Sequence, residues 1–164
     1  MNDLIQEIEP KSVTLETINK YPKEYKELVI RQLMVHAEGE LSGADDYIQL
    51  FYPLTNDLEE KRICCELAID ELNHYERAAL LLRELGQDTS FMLAQKLEER
   101  SMYATEGVKE CSSWAERALI SYLLEAAVVE ILKEMADSSY KPLADMCPLV
   151  IKEENLHIAH GYRI

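Results

Sequence analysis

The stretch Asp70-Glu71-Leu72-Asn73-His74 decides how the rest of this sequence is interpreted. In an α-helix, Glu71 and His74 lie on one face, one turn apart. A carboxylate and an imidazole at that spacing can bind the same metal ion. The pattern occurs again at Glu153-Glu154-Asn155-Leu156-His157, and in both places a second acid precedes the Glu of the pair. One copy is weak evidence, but two copies on predicted helices indicate a metal centre.

The composition is typical of a globular, helical protein. The chain has 164 residues, of which 48% are hydrophobic, and it contains only 5 Gly and 5 Pro. We therefore expect one all-α domain over residues 1–164, with residues 1–20 as a peripheral segment. The net charge of -14 argues against nucleic acid or an anionic membrane surface as a partner. No apolar run approaches the roughly 20 residues of a membrane span, and no signal peptide opens the chain. None of the four cysteines forms a C-x-x-C pair. The sequence therefore favours a cytoplasmic protein.

Hydrophobic periodicity predicts four long helices. They are expected to cover residues 22–51, from a cap at Thr55 or Asn56 to residue 85, from Ser112 or Ser113 to residue 137, and from Pro142 to the end, with a possible kink at Pro148. Residues 87–112 form a long connection, in which residues 89–99 are expected to add a short helix. A short helix is also expected over residues 14–19. Two helical hairpins joined by one long crossover predict a ferritin-like four-helix bundle.

Two further acids interrupt apolar stripes at the centre of predicted helices. Glu40 falls in the stripe of the first long helix, and Glu125 is the lone acid in the apolar run of the third. An ionised carboxylate in an apolar interior is costly unless it is paired or binds a metal. Glu38 is an alternative to Glu40, but it lies off the stripe. Gly39 and Gly43 flank this region, which suggests that a neighbouring helix or a substrate comes close.

These observations define one candidate centre. Glu40 and Glu71 are 31 residues apart, and Glu125 and Glu154 are 29 residues apart, so antiparallel hairpins with short turns bring each pair to one level. Four carboxylates and two imidazoles suit two iron ions, with manganese as the alternative. Two such ions close together can activate O2, and Glu40 and Glu125 are expected to act in catalysis as flexible carboxylates. The six predicted ligands are Glu40, Glu71, His74, Glu125, Glu154 and His157.

Other polar residues are expected to support these ligands. A metal-bound His normally donates its other N–H to a carboxylate. We therefore expect a crossed pair of contacts, Asp70 with His157 and Glu153 with His74. His36, one turn before Glu40, could support that carboxylate, although such a histidine more often only packs.

The remaining candidates are assigned no role in the centre. We expect His160 to be solvated. Tyr47, Tyr75 and Tyr122 are interpreted as core residues, with a hydrogen-bonding or redox role as the less favoured alternative.

The chain resembles a known family at these residues. The segments that carry the resemblance are Ile30-Arg31-Gln32-Leu33, His36-Ala37, Glu40-Leu41-Ser42-Gly43, Asp70-Glu71 with His74, Glu125-Ala126-Ala127, and Lys152-Glu153-Glu154 with His157. In order and spacing they are similar to the catalytic subunits of the phenylacetate-catabolism family. The resemblance implies O2 activation at a diiron centre, oxygenation of the ring of an aromatic CoA thioester, a separate reductase, and a homo- or hetero-oligomer. It also implies that the six residues named above are the metal ligands.

Two other classes of protein share part of this pattern. A rubrerythrin- or ferritin-like protein that handles iron or scavenges peroxide needs the same ligands but no organic pocket. A scaffold protein with a degenerate site would bind no metal. The first hypothesis is a non-haem diiron monooxygenase, an oxidoreductase, and an apolar pocket beside the ligands would favour it over the second.

Overall fold

The computed structural model describes residues 9–100 and 110–164, which form an all-α bundle. Within these residues the α-helices are four long ones and one short one. Their bounds are Lys23–Asp46 for α1, Leu58–Glu84 for α2, Ser90–Ala94 for α3, Trp114–Met135 for α4 and Lys141–Arg163 for α5. This confirms the predicted fold class. In the same part of the chain, no helix is both long enough and apolar enough to cross a membrane.

The helix starts follow ordinary capping chemistry. The Asp57 side chain accepts hydrogen bonds from the backbone N–H groups of Glu59 and Glu60, so Asp57 caps α2 rather than Thr55 or Asn56. Ser113 and Glu116 form a capping box at the start of α4, which begins where the sequence indicated. Pro148 lies inside α5 without ending the helix there.

Two predicted helices differ in their extent. The α-helical part of the first ends at Asp46, and a π-helical turn, Tyr47–Phe51, follows it directly. The predicted helix over residues 89–99 is two short pieces, α3 and the 3-10 turn Leu97–Glu99. Residues 101–109 of the long connection lie outside the described residues.

The two hairpins, α1 with α2 and α4 with α5, share one core. Leu33, Leu82, Leu132 and Val150 come from the four long helices and are fully buried in the same apolar cluster. A second, smaller cluster contains Phe51, Cys64 and Leu67 near the end of α1. The polar residues predicted to bind metal lie on the faces that the helices turn toward each other.

The N-terminal segment is less peripheral than the sequence suggested. Val13 and Ile18 are buried in the main core. The backbone N–H of Val13 donates to Ser139 O at 2.9 Å, and the N–H of Lys141 donates to Val13 O at 2.8 Å. Backbone pairing with the start of α5 therefore anchors this segment, and the expected helix over residues 14–19 is a single 3-10 turn, Ile18–Lys20.

Candidate metal centre

The bundle brings all six predicted ligands to one place in its interior. α1 and α4 supply one Glu each, and α2 and α5 supply one Glu and one His each. None of the six residues is more than 9% exposed: Glu40, Glu71, His74, Glu125, Glu154 and His157. The predicted convergence of the motifs is therefore present, and Glu38, the alternative to Glu40, is only half-buried.

The six side chains form two overlapping groups of four. In each group the donor atoms lie within 4.8 Å of one another. One group contains Glu40 and His74 together with Glu71 and Glu154. The other contains Glu125 and His157 together with the same two glutamates. We call these the Glu40 position and the Glu125 position.

The shared glutamates point one oxygen toward each histidine. Glu154 Oε1 lies 3.1 Å from His74 Nδ1, and Glu154 Oε2 lies 3.1 Å from His157 Nδ1. Glu71 Oε1 lies 3.2 Å from His157 Nδ1, and Glu71 Oε2 lies 3.9 Å from His74 Nδ1. This is the geometry of two carboxylates that can bridge a pair of ions, with Nδ1 of each histidine turned inward.

The outer nitrogens of both histidines face acids from the opposite hairpin. His74 Nε2 lies 2.8 Å from Glu153 Oε2, which also accepts a hydrogen bond from the Arg77 guanidinium. His157 Nε2 lies 3.6 Å from Asp70 Oδ2, an ion-pair distance rather than a hydrogen bond. Glu153 thus lies at hydrogen-bonding distance from His74, as the sequence argument expects, whereas Asp70 approaches His157 only to an ion-pair distance. An Nε2–H donated to a carboxylate leaves the Nδ1 lone pair free for a metal ion.

His36 contacts the centre through Glu40. Its Nδ1 lies 2.9 Å from Glu40 Oε1, while the other oxygen, Oε2, lies 3.2 Å from His74 Nδ1. Burial raises the pKa of Glu40, but the neighbouring His36 outweighs this effect and holds that pKa well below its usual range. Glu40 is therefore ionised and turns one oxygen toward the centre.

Charge is unevenly distributed over the other ligands. Burial, reinforced by the neighbouring carboxylates, raises the pKa values of Glu71 and Glu125 well above the usual range. Burial acts to lower the pKa of His74, but its contacts with Glu154 and Glu40 prevail and raise it to about 10. Burial raises the pKa of Glu154, whereas its contacts with His157 and His74 lower it further than burial raises it. Without metal, Glu71, Glu125 and His74 thus bind protons more tightly than usual, whereas Glu40 and Glu154 do not.

The donor atoms fit a pair of divalent cations. Both carboxylate oxygens of Glu154 and both ring nitrogens of His157 are buried without a well-oriented hydrogen bond to any of the described residues. Such atoms are costly unless something binds them. A mixed set of four carboxylates and two imidazoles suits iron or manganese. The residues would hold one ion at the Glu40 position and one at the Glu125 position.

An apolar cavity of about 280 Å³ lies beside the centre, between α1 and α4. All four ligand carboxylates contribute to its lining, and most of the remaining lining is apolar, including Val35, Val128 and Leu132. Gly39 and Leu124 line it and are also exposed, so the cavity opens to solvent between the two helices. An apolar cavity of about 150 Å³ is enough to hold benzene. This cavity can therefore admit an aromatic ring next to the metal ligands.

Two side chains behave differently from the sequence interpretation. His160 is only 6% exposed, and its Nε2 lies 2.8 Å from Glu60 Oε2, so the expectation that it is solvated was wrong. Its position one turn after His157 keeps it on the inward face of α5.

Tyr47 is buried as expected, but its hydroxyl also reaches Glu125 Oε1 at 3.1 Å. Its spacing of seven residues from Glu40, two helical turns, was the signal that could have revealed this contact.

The chain is similar to known proteins over most of its length. The family model described as phenylacetic acid catabolic protein matches residues 1–164. The chain is also 25% identical, over 147 residues, to one of the subunits of 1,2-phenylacetyl-CoA epoxidase of Escherichia coli (strain K12). That alignment covers 86% of this chain and 45% of the relative, so the chain spans about half the length of the curated relative that it matches.

Proposed function

This chain belongs to the phenylacetic acid catabolic protein family, and from that premise we propose that it is a diiron-carboxylate oxygenase that uses O2 to oxygenate an organic substrate. One observation carries the proposal. Two buried groups of four ligands share Glu71 and Glu154 and lie against an apolar cavity that opens to solvent. Ligands for two ions and room for a substrate are thus combined in one interior.

Each part of the site has a defined task in this proposal. Glu71 and Glu154 belong to both positions and would help to hold both ions, whereas His74 and His157 would each help to hold one. Glu40 and Glu125 belong to one position only, and each would act as a flexible carboxylate at that position. When bound, the two iron ions supply the electrons and binding sites for O2. The apolar wall of the cavity would hold the substrate against the carboxylate side of the centre, and the bound substrate would displace water from it.

We propose an aromatic ring as the group that enters the cavity. The lining is mostly apolar, and His36 is its only side chain that could carry a positive charge near the carboxylates, within the described part of the chain. A ring carried by a CoA thioester fits this arrangement, since the relative is named as part of a phenylacetyl-CoA epoxidase. The thioester and nucleotide would extend outward through the opening between α1 and α4. Because the relative is one component of a larger enzyme, we also propose an oligomer that receives electrons from a separate reductase.

Metal binding is tested first. The purified chain is loaded anaerobically with Fe(II), and bound iron is measured after removal of the free ion. We expect two iron ions per chain. His157→Gln should lose at least one of them, whereas the matched control His160→Gln, which removes a buried histidine on the same helix but outside the centre, should retain both. A wild-type chain that binds no iron would contradict the proposal and favour a scaffold without a metal site.

Oxygenation is tested in a single turnover, which needs no reductase. The reduced, iron-loaded chain is mixed with phenylacetyl-CoA and isotope-labelled O2, and the CoA thioesters are analysed by mass spectrometry. We expect a product that gains one labelled oxygen atom in the aromatic part. Rapid turnover of peroxide with no labelled thioester would instead favour the rubrerythrin-like alternative.

A further inference from the structure

The two metal positions differ in how their own carboxylates are held. His36 Nδ1 contacts Oε1 of Glu40, and the other oxygen of Glu40, Oε2, faces His74. Glu125 receives the Tyr47 hydroxyl on Oε1, the same oxygen that lies 3.9 Å from His157 Nδ1. His36 therefore contacts the oxygen of Glu40 that is turned away from His74, whereas Tyr47 contacts the oxygen of Glu125 that faces His157.

The hydrogen bonds around Tyr47 have a defined direction. A carboxylate that binds metal can only accept, so the single phenolic proton of Tyr47 is donated to Glu125. The Ser121 hydroxyl lies 2.8 Å from the Tyr47 oxygen and must then donate to it. The result is a chain from Ser121 through Tyr47 to Glu125, enclosed in the bundle interior.

Tyr47 also contacts the histidine of the same position. Its ring meets the His157 ring edge-on, with centroids 5.9 Å apart. Tyr47 is 2% exposed and packs in the small apolar cluster with Phe51, so its hydroxyl has little freedom to move. It thus touches both ligands that belong only to the Glu125 position.

We propose that Tyr47 is a positioning residue that fixes Glu125 and thereby sets the affinity of the Glu125 position alone. The inference rests on the proposed dimetal centre. Loss of a hydrogen-bonding partner of a metal ligand typically costs roughly 10- to 100-fold in metal affinity. Tyr47→Phe removes only the hydroxyl and keeps the ring in the core. It should weaken metal binding at the Glu125 position at least about tenfold and leave metal binding at the Glu40 position unchanged.

The test is an anaerobic titration of Mn(II) followed by electron paramagnetic resonance, which distinguishes isolated from coupled ions. Wild type should bind two Mn(II) per chain and show a spin-coupled pair. At the same metal concentration, Tyr47→Phe should show isolated Mn(II) bound at one position. Tyr75→Phe is the matched control, because Tyr75 is also buried but donates to Thr89, away from the centre. It should behave as wild type.

A double-mutant cycle tests whether Tyr47 acts through Glu125. Tyr47→Phe should have no further effect on Mn(II) binding in a chain that already carries Glu125→Gln. If Tyr47→Phe fails to fold, Ser121→Ala tests the same chain of hydrogen bonds. It should weaken metal binding at the Glu125 position by a smaller factor than the one expected for Tyr47→Phe.

The outcomes separate the two proposals. Two Mn(II) ions bound by Tyr47→Phe with wild-type affinities, or equal loss with and without Glu125, would overturn the role of Tyr47. Absence of Mn(II) and Fe(II) binding by wild type would overturn the dimetal centre itself.

Discussion

Gly43 packs directly against the carboxyl group of Glu71. A Cβ atom added to Gly43 would lie 2.9 Å from Glu71 Cδ, closer than real Cβ atoms approach. The sequence suggested that the glycines near Glu40 admit a neighbour, and for Gly43 the neighbour is a ligand shared by both metal positions. At Gly39 an added Cβ would meet nothing within 4 Å.

The first prediction compares these two glycines. Gly43→Ala should displace the Glu71 carboxylate and weaken both metal positions, because the group that must move is the end of a flexible side chain rather than backbone. Gly39→Ala should keep both positions intact. Gly39→Ala should also raise the stability of the metal-free chain by roughly 0.5–1 kcal/mol, since Ala is the better helix former, whereas the displaced Glu71 should offset this gain in Gly43→Ala. Metal titration and thermal unfolding of both variants measure these effects. Normal iron content in Gly43→Ala would show that Glu71 tolerates the shift.

The second prediction compares the acids behind the histidines. Glu153 and Asp70 are about equally exposed, at 32% and 33% of their side chains, but they lie 2.8 and 3.6 Å from their imidazoles. Glu153→Gln should therefore weaken metal binding roughly 10- to 100-fold, and Asp70→Asn should weaken it less. Competition with a chelator of known affinity measures both values. An equal loss in the two variants would mean that charge near the centre matters rather than the hydrogen bond.

The third prediction concerns the cavity. Val128→Phe should fill part of the 280 Å³ beside the carboxylates, so substrate oxygenation should fall while two iron ions remain bound. Leu123→Phe is the control, because Leu123 lies on the same helix, is 55% exposed and does not line the cavity. The readouts are iron content and single-turnover product. Wild-type product yield from Val128→Phe would place the substrate elsewhere.

The fourth prediction concerns protons. Burial and the neighbouring carboxylates raise the pKa values of Glu71 and Glu125, and contacts with Glu154 and Glu40 raise the pKa of His74 to about 10, so all three groups bind protons more tightly than usual in the metal-free chain, whereas metal ligands must release them. Metal binding should therefore release protons, and its affinity should fall as the pH is lowered from about 8 to 6. Glu40 and Glu154 should add nothing, because their pKa values are lowered.

Calorimetry of Mn(II) binding in two buffers with different ionisation enthalpies measures the number of protons released. Identical heats in both buffers would contradict the prediction. Glu71→Gln removes one of the groups whose pKa is raised, so fewer protons should be released per Mn(II) ion that the variant still binds.

The sequence by itself determined the four long helices and the six residues that meet in the candidate metal centre. Helical periodicity places Glu71 with His74, and Glu154 with His157, on single faces, and these are local relations that the backbone geometry fixes. An acid such as Glu125 inside an apolar stripe is informative for the same reason, because burial follows from its phase in the helix. The 31- and 29-residue spacings then predict that the ligands meet at one level.

Only the tertiary structure decided the relations between helices. The packing of the two hairpins decides which oxygen of Glu154 faces which histidine. It also creates the cavity between α1 and α4 and the contact of Tyr47 with Glu125. No local sequence pattern encodes the distance between the hairpins or their relative rotation. His160 shows the limit most clearly: its hydrogen-bonding partner Glu60 lies 100 residues earlier in the chain and reaches it only in the folded bundle.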